Sequence, residues 1–207
     1  SNLQHRPIGL GMMGLHDVLH SLGICIDSSE AIEFNNKLFE CYSRQAILSS
    51  SSLAGERGRY KTFTGSLWDQ DILPLDSWNK MQEYRGNKKT HVTHFDWDEV
   101  RESIKKHGIR NSNVMAIAPT ATISYISGCE QSIEPNFSVL FVYENKSGNF
   151  YIANEHFVND MKDRGLWSVD VANLVKSADG DLSLINGSVP QDLKDKYKTA
   201  FNRDVFK

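Results

Sequence analysis

What this chain of 207 residues lacks narrows its class quickly. It has three cysteines, Cys25, Cys41 and Cys129, an odd number, widely spaced and with no C-x-x-C pair. That excludes the disulfide framework of a small secreted domain and offers no cysteine zinc site. All three are expected to be reduced thiols used as small buried residues. No apolar run approaches the roughly 20 residues that span a bilayer, and the polar start Ser1-Asn2-Leu3-Gln4-His5-Arg6 lacks the apolar stretch of a secretion signal. A cytoplasmic setting without a membrane partner is expected. Charge of one sign is not in excess either. The 23 basic and 26 acidic side chains give a net charge of -3 and are mixed along the chain, with Lys88 and Lys89 clustered, so no face for nucleic acid is expected. His91 and His94 stand three residues apart, but no cysteine or carboxylate completes a ligand set, so a solvated loop is expected there and no metal site.

What is present predicts one globular unit with helices outnumbering strands. Leu15, Val18, Leu19 and Leu22 fall at helical spacing before Gly23 and predict a short buried helix. Asp27-Ser28-Ser29-Glu30 offers cap oxygens ahead of the longest periodic stretch, which should end near Gly55 or Gly58. From Arg59 to Thr93 the pattern breaks around Gly65, Pro74 and Gly86, and an irregular surface excursion is expected. Acids at Asp96, Asp98 and Glu99 open a helix that Lys105, Lys106 and His107 close before Gly108. Val114-Met115-Ala116-Ile117-Ala118 reads as a buried strand stopped by Pro119. A hairpin is expected over residues 137 to 153, turning near Asn145-Lys146-Ser147-Gly148. Helices should follow from Asn154 to Arg164, from Ser168 to Lys176, and from Pro190 towards Phe201.

Gly9-Leu10-Gly11-Met12-Met13-Gly14 matches G-x-G-x-x-G, with Asp27 or Glu30 near the distance of a ribose-binding acid. Taken alone it proposes an NAD-dependent oxidoreductase. That fingerprint needs a buried strand leading into the first glycine, and only Pro7 and Ile8 precede it here. Close helix packing is the competing reading of these glycines.

The segment Pro119-Thr120-Ala121-Thr122-Ile123-Ser124 joins small residues, which let a backbone approach a ligand, to three hydroxyls that can donate to its oxygens. At a strand end that leads into a helix or turn, main-chain N-H groups and the helix dipole favour a phosphate. The absence of a G-K-[ST] run argues against phosphoryl transfer. Spacing alone leaves a plain helix cap, and hence a non-catalytic binding module, as an open alternative.

Four runs in order carry a family resemblance. They are His5-Arg6-Pro7-Ile8-Gly9-Leu10-Gly11 with Asn2, His107-Gly108-Ile109-Arg110-Asn111-Ser112, Ala116 to Ser124, and Ser132-Ile133-Glu134-Pro135. Together they resemble the ribonucleotide reductase large subunit. Arg164-Gly165-Leu166-Trp167, Asp179-Gly180, Val189-Pro190, Asp192-Leu193-Lys194 and Thr199-Ala200-Phe201 are similar to its class I form, while a cobalamin-dependent form stays open. The resemblance implies an α/β fold, the later portion of a ten-stranded α/β barrel, with residues 1-207 as a single partial domain. It implies reduction of ribonucleoside diphosphates by radical chemistry, with the substrate's phosphates on Pro119, Thr120, Ala121, Thr122, Ile123 and Ser124. Ala121 stands where some members have glycine.

The family's radical cysteine, its asparagine and glutamate, and its redox cysteine pairs have no counterpart in these motifs. Cys25, Cys41 and Cys129 sit in other contexts. The resemblance therefore implies no catalytic residue here, no cofactor bound by this portion, and a radical supplied by a metal-containing small subunit. It also implies association with the remaining part of the large subunit or self-association, because a partial barrel exposes strand edges.

Overall fold

Side-chain caps decide where several helices of this chain begin, and the computed structural model shows them in place over residues 2–87, 92–146 and 148–203. In chain order the helices are α1 (Asn2–His5), α2 (Leu15–Leu22), α3 (Ser29–Arg57), α4 (Pro74–Tyr84), α5 (Asp98–His107) and α6 (Ile123–Ser127). The strands β1 (Leu140–Asn145) and β2 (Gly148–Ala153) follow, then α7 (Glu155–Asp163), α8 (Val169–Ser177), a 3-10 turn at Leu182–Leu184, and α9 (Gln191–Lys196). The chain gathers into two compact units. Unit 1 comprises Ser1–Gly11 and Asn35–Ile117, and unit 2 comprises Met12–Phe34 and Ala118–Lys207.

In unit 1 the core joins Ile47, Tyr60, Phe63, Leu73, Trp97, Val100, Ile104 and Ile109. α5 lies close to α3 because α3 carries small residues there: the Ser51 and Ser103 hydroxyls are 2.8 Å apart, and a Cβ on Gly55 would meet the His107 ring at 3.0 Å. Glu40 is the buried acid of this unit. Its carboxylate accepts the main-chain N-H groups of His94 and Phe95 and the Trp97 indole N-H.

In unit 2, β1 and β2 pair antiparallel from Leu140↔Ala153 to Asn145↔Gly148. Asn154 then caps α7 by accepting the Phe157 N-H, and Ser168 caps α8 by accepting the Val171 N-H. Phe157, Met161, Val175, Leu193 and Tyr197 share one core cluster, while Leu19, Ile24, Ile26 and Ala31 form another. The expected α3, α5, hairpin, α7 and α8 are all present.

Five expectations need correction. Residues 59–93 are not wholly irregular, since Pro74 is the first residue of α4 rather than a break: its missing N-H is free of consequence at that position, and Asp76 accepts the Leu73 N-H. The run from Val114 to Ala118 is not a buried strand. It makes one isolated parallel bridge, Leu10↔Met115, and beyond Val114 its residues are largely exposed, Ile117 at 44%. The last helix stops at Lys196 instead of reaching Phe201, which is 81% exposed. The buried stripe of α2 is Leu15, His16, Leu19 and His20, with Val18 and Leu22 facing out, so i and i+4 pairs rather than all apolar residues define its face. Cys41 is exposed and Cys25 and Cys129 only half-buried, so the cysteines are not core residues. Lys88, Lys89, His91 and Ser147 lie outside the described residues.

Candidate functional site

The Pro119–Ser124 segment enters unit 2 immediately after the exposed end of the 114–118 run and leads into α6. Thr120 adopts φ 53, a left-handed backbone rare for a β-branched residue. Its hydroxyl oxygen accepts the Ser132 N-H at 2.8 Å, and its carbonyl accepts the Ser124 N-H at 3.0 Å. Pro119, Ala121, Thr122 and Ile123 are exposed. Thr122 stands at the cap position of α6 and makes no side-chain cap bond. Its hydroxyl therefore does not serve as a helix cap, the role the plainer sequence reading gave it. Ser124 is 1% exposed, and its Oγ is buried with no hydrogen-bond partner. Of the three hydroxyls, one is tied to Ser132, one is presented to solvent and one is buried.

Beside α6 lies a cleft of about 640 Å³ whose wall includes Ser124, Tyr125, Glu130, Glu134, Phe141 and His156. Asp17 and Glu155 also line it, and its lining holds no lysine or arginine, so the cleft itself does not suit an anion. Asp17 accepts the Glu130 N-H at 2.6 Å and lies 3.9 Å from His156 Nε2. Burial, and then the Asp17 carboxylate, push the Glu130 carboxyl up to about 7. Spacing gave no sign of this pair, because Asp17 and Glu130 are 113 residues apart.

Cys25 and Cys129 are poor nucleophiles as placed. Burial raises both the Cys25 and Cys129 thiols, reinforced by Asp195 and Asp27 at the first and by Asp17 and Glu130 at the second. Among the described residues no group of three or more histidine, cysteine or acidic side chains could hold a metal ion, and no helix is long and apolar enough to cross a membrane.

The glycines of the G-x-G-x-x-G run have packing roles. A Cβ on Gly9 would meet Ala116 Cβ at 2.9 Å, and Gly14, at φ 77, sits where a Cβ would meet Cys129 Cβ at 3.2 Å before α2 begins. The described residues form a single two-stranded antiparallel sheet, without the parallel unit that a dinucleotide fingerprint requires.

A family model described as "Ribonucleotide reductase, barrel domain" matches residues 1–207. The chain is 47% identical over 204 residues to a ribonucleoside-diphosphate reductase subunit alpha of Chlamydia pneumoniae, covering 97% of this chain and 19% of that protein. It is 38% identical over 201 residues to the large chain of Schizosaccharomyces pombe, covering 97% and 24%, and 37% identical over 202 residues to the large subunit of Arabidopsis thaliana, covering 97% and 23%. The chain thus spans 19% to 24% of the length of these curated relatives.

Proposed function

This chain belongs to the family of the ribonucleotide reductase barrel domain, and from that premise we propose that it is a portion of the large subunit of a ribonucleoside-diphosphate reductase. The complete enzyme would reduce ribonucleotides to deoxyribonucleotides by radical chemistry. This portion would supply the loop, Pro119 to Ser124, that holds the diphosphate of the substrate. The carrying observation is the Thr122 hydroxyl, exposed at the start of α6 and making no cap bond. Beside it, Thr120 keeps a hydroxyl proton to donate while its oxygen accepts from Ser132. Pro119, Ala121 and Ile123 shape the loop, and Ser124 reaches a phosphate only if α6 shifts to uncover its Oγ.

Two partners follow. The remaining part of the large subunit would pair with the edge left open beside the single Leu10↔Met115 bridge, where Leu10 is 45% and Ile117 44% exposed. A metal-containing small subunit would generate the radical, this portion binding no cofactor of its own. On this reading the chain alone is inactive.

Calorimetry with a ribonucleoside diphosphate tests the loop in the assembled large subunit. Thr120→Ala with Thr122→Ala should weaken binding by roughly a hundredfold, as expected for losing two hydrogen bonds to a charged group. Equal affinity in parent and variant overturns the assignment.

A further inference from the structure

Two residues with side chains, Thr120 at φ 53 and Ser132 at φ 50, hold left-handed backbones in the same part of unit 2. Each such residue costs about 1–3 kcal/mol and persists only where its surroundings over-determine it. Here the two strained residues are bonded to each other, since the Ser132 N-H donates to Thr120 Oγ1 at 2.8 Å. The bonds continue on both sides. Ser124 N-H donates to the Thr120 carbonyl at 3.0 Å, and Cys129 N-H donates to the Ser124 carbonyl at 3.1 Å, so α6 is enclosed between fixed points. The Ser132 side is itself anchored to the start of α2: Glu130 N-H donates to Asp17 at 2.6 Å, and Gly14 N-H donates to the Glu130 carbonyl at 2.9 Å. Ser132 is 3% exposed, so water does not compete for its N-H.

We propose that Ser132 is a positioning residue for the 119–124 loop, its main-chain N-H gripping the Thr120 hydroxyl oxygen so that the loop keeps the backbone from which Thr122 meets a phosphate. This rests on the phosphate reading above. It divides labour among hydroxyls that the sequence treats alike. Thr120 spends its oxygen as an internal acceptor, which also makes its remaining proton a better donor. Thr122 spends nothing internally. The clamp also joins two separate motifs, Pro119 to Ser124, which runs into α6, and Ser132 to Pro135, which follows it.

The test compares a ribonucleoside diphosphate with its nucleoside, both measured on the assembled large subunit, and follows the Ser132 amide by hydrogen exchange. Thr120→Val keeps the branched shape and removes the acceptor. It should cost about tenfold in diphosphate affinity, leave nucleoside affinity alone and free the Ser132 amide to exchange. Thr120→Ser, which keeps the oxygen, should restore most of the affinity and the slow amide. Ser132→Pro removes the N-H and forbids the left-handed backbone. Its loss should not exceed that of Thr120→Val, which also removes the hydroxyl donor, and the double variant should lose no more than Thr120→Val alone, as expected for two ends of one bond. If Ser132→Pro does not fold, the Ser132 amide in Thr120→Val decides. An amide that exchanges equally fast in parent and Thr120→Val, or single losses that multiply in the double variant, overturns the clamp and leaves the phosphate reading standing. A parent that binds diphosphate no better than nucleoside overturns the phosphate reading itself, and the clamp's role falls with it.

Discussion

Both units bury titratable groups, and they treat them in opposite ways. Unit 1 buries Glu40 among three N-H donors, from His94, Phe95 and Trp97, so the charged carboxylate is well satisfied. Unit 2 buries His16 and His20 with few partners. His16 Nδ1 lies 2.9 Å from the Asn136 main-chain nitrogen and 2.8 Å from the Asn136 side-chain Oδ1, while His16 Nε2 is a buried nitrogen without a partner. Both ring nitrogens of His20 are buried without a partner, and its ring lies between His16, at 4.0 Å, and Tyr197, at 4.6 Å. A buried polar group is a staple when its bonds are made and a liability when they are not, and this chain contains both kinds.

The strongest way to break the contrast is to remove the staple. Glu40→Leu keeps most of the volume and leaves two main-chain N-H groups and an indole N-H without their acceptor. It should destabilise unit 1 by about 2–4 kcal/mol. Residue-resolved urea titration reads this directly: amides of unit 1 should shift their midpoints while those of unit 2 stay in place. Equal shifts in both units would mean that the buried carboxylate is not a local staple.

The visibility of these features in the sequence follows their range. The starts of α3, α7 and α8 were legible because a cap such as Ser168 acts on Val171, within its own helix, and α5 was legible because its terminal charges suit its own dipole. α4 was hidden because Pro74 reads equally as a break and as a first helical residue. The strand expected at Val114 to Ala118 has the right residues, but a strand needs a neighbour, and here the ladder is one bridge long. The loop itself was legible as a motif. The use of its hydroxyls was not, because the bond from Ser132 to Thr120 spans twelve residues. His16 and His20 carried a signal that apolar counting missed: each follows a buried leucine, at the same four-residue interval as Leu15 and Leu19.

Acid should separate the two units next. Burial, with smaller help from His16, His156 and Lys196, lowers His20 to about 2 against an ordinary 6.5. His16 moves the same way: burial outweighs Asn136 and Asp17, while Arg203 and His156 add to the lowering. The Tyr197 hydroxyl on the other side of His20 donates to Asp160, so it has no proton left to give the ring. A folded value below the unfolded one means that this stability is full above 6.5 and is lost as pH falls towards 2, at about 1.4 kcal/mol per pH unit per group. Glu40 runs on a lower window. Burial alone would raise it, but the N-H donors hold it below its usual range, so its contribution is lost only as pH falls below 4.5. At pH 5, unit 2 should therefore have lost about 2 kcal/mol through His20 while Glu40 still holds unit 1. His20→Leu should flatten the unit 2 curve between pH 6.5 and 5, and an unchanged slope would sink this account.

The smallest effect runs the other way within unit 2 and gives its stability an alkaline limb. Glu130 has a folded value of about 7 above an unfolded one near 4.5, so the fold favours its protonated form. That contribution is full below 4.5 and disappears as pH rises through 7, the reverse of His20. Its cause is local: a carboxyl partly withdrawn from water, beside an Asp17 carboxylate that accepts the Glu130 N-H and cannot give that position up without breaking the tie to α2. Water still reaches this part-buried group, so the loss above pH 7 should be about 1–2 kcal/mol rather than the full linkage value. Glu130→Gln imitates the protonated acid and keeps the main-chain N-H on Asp17. It should raise the stability of unit 2 at pH 8 by the whole of that loss, leave it unchanged at pH 4, and leave unit 1 unaffected at every pH. A rise of the same size at pH 4 would show that the substitution acts through packing and that Glu130 does not shape the pH response of this unit.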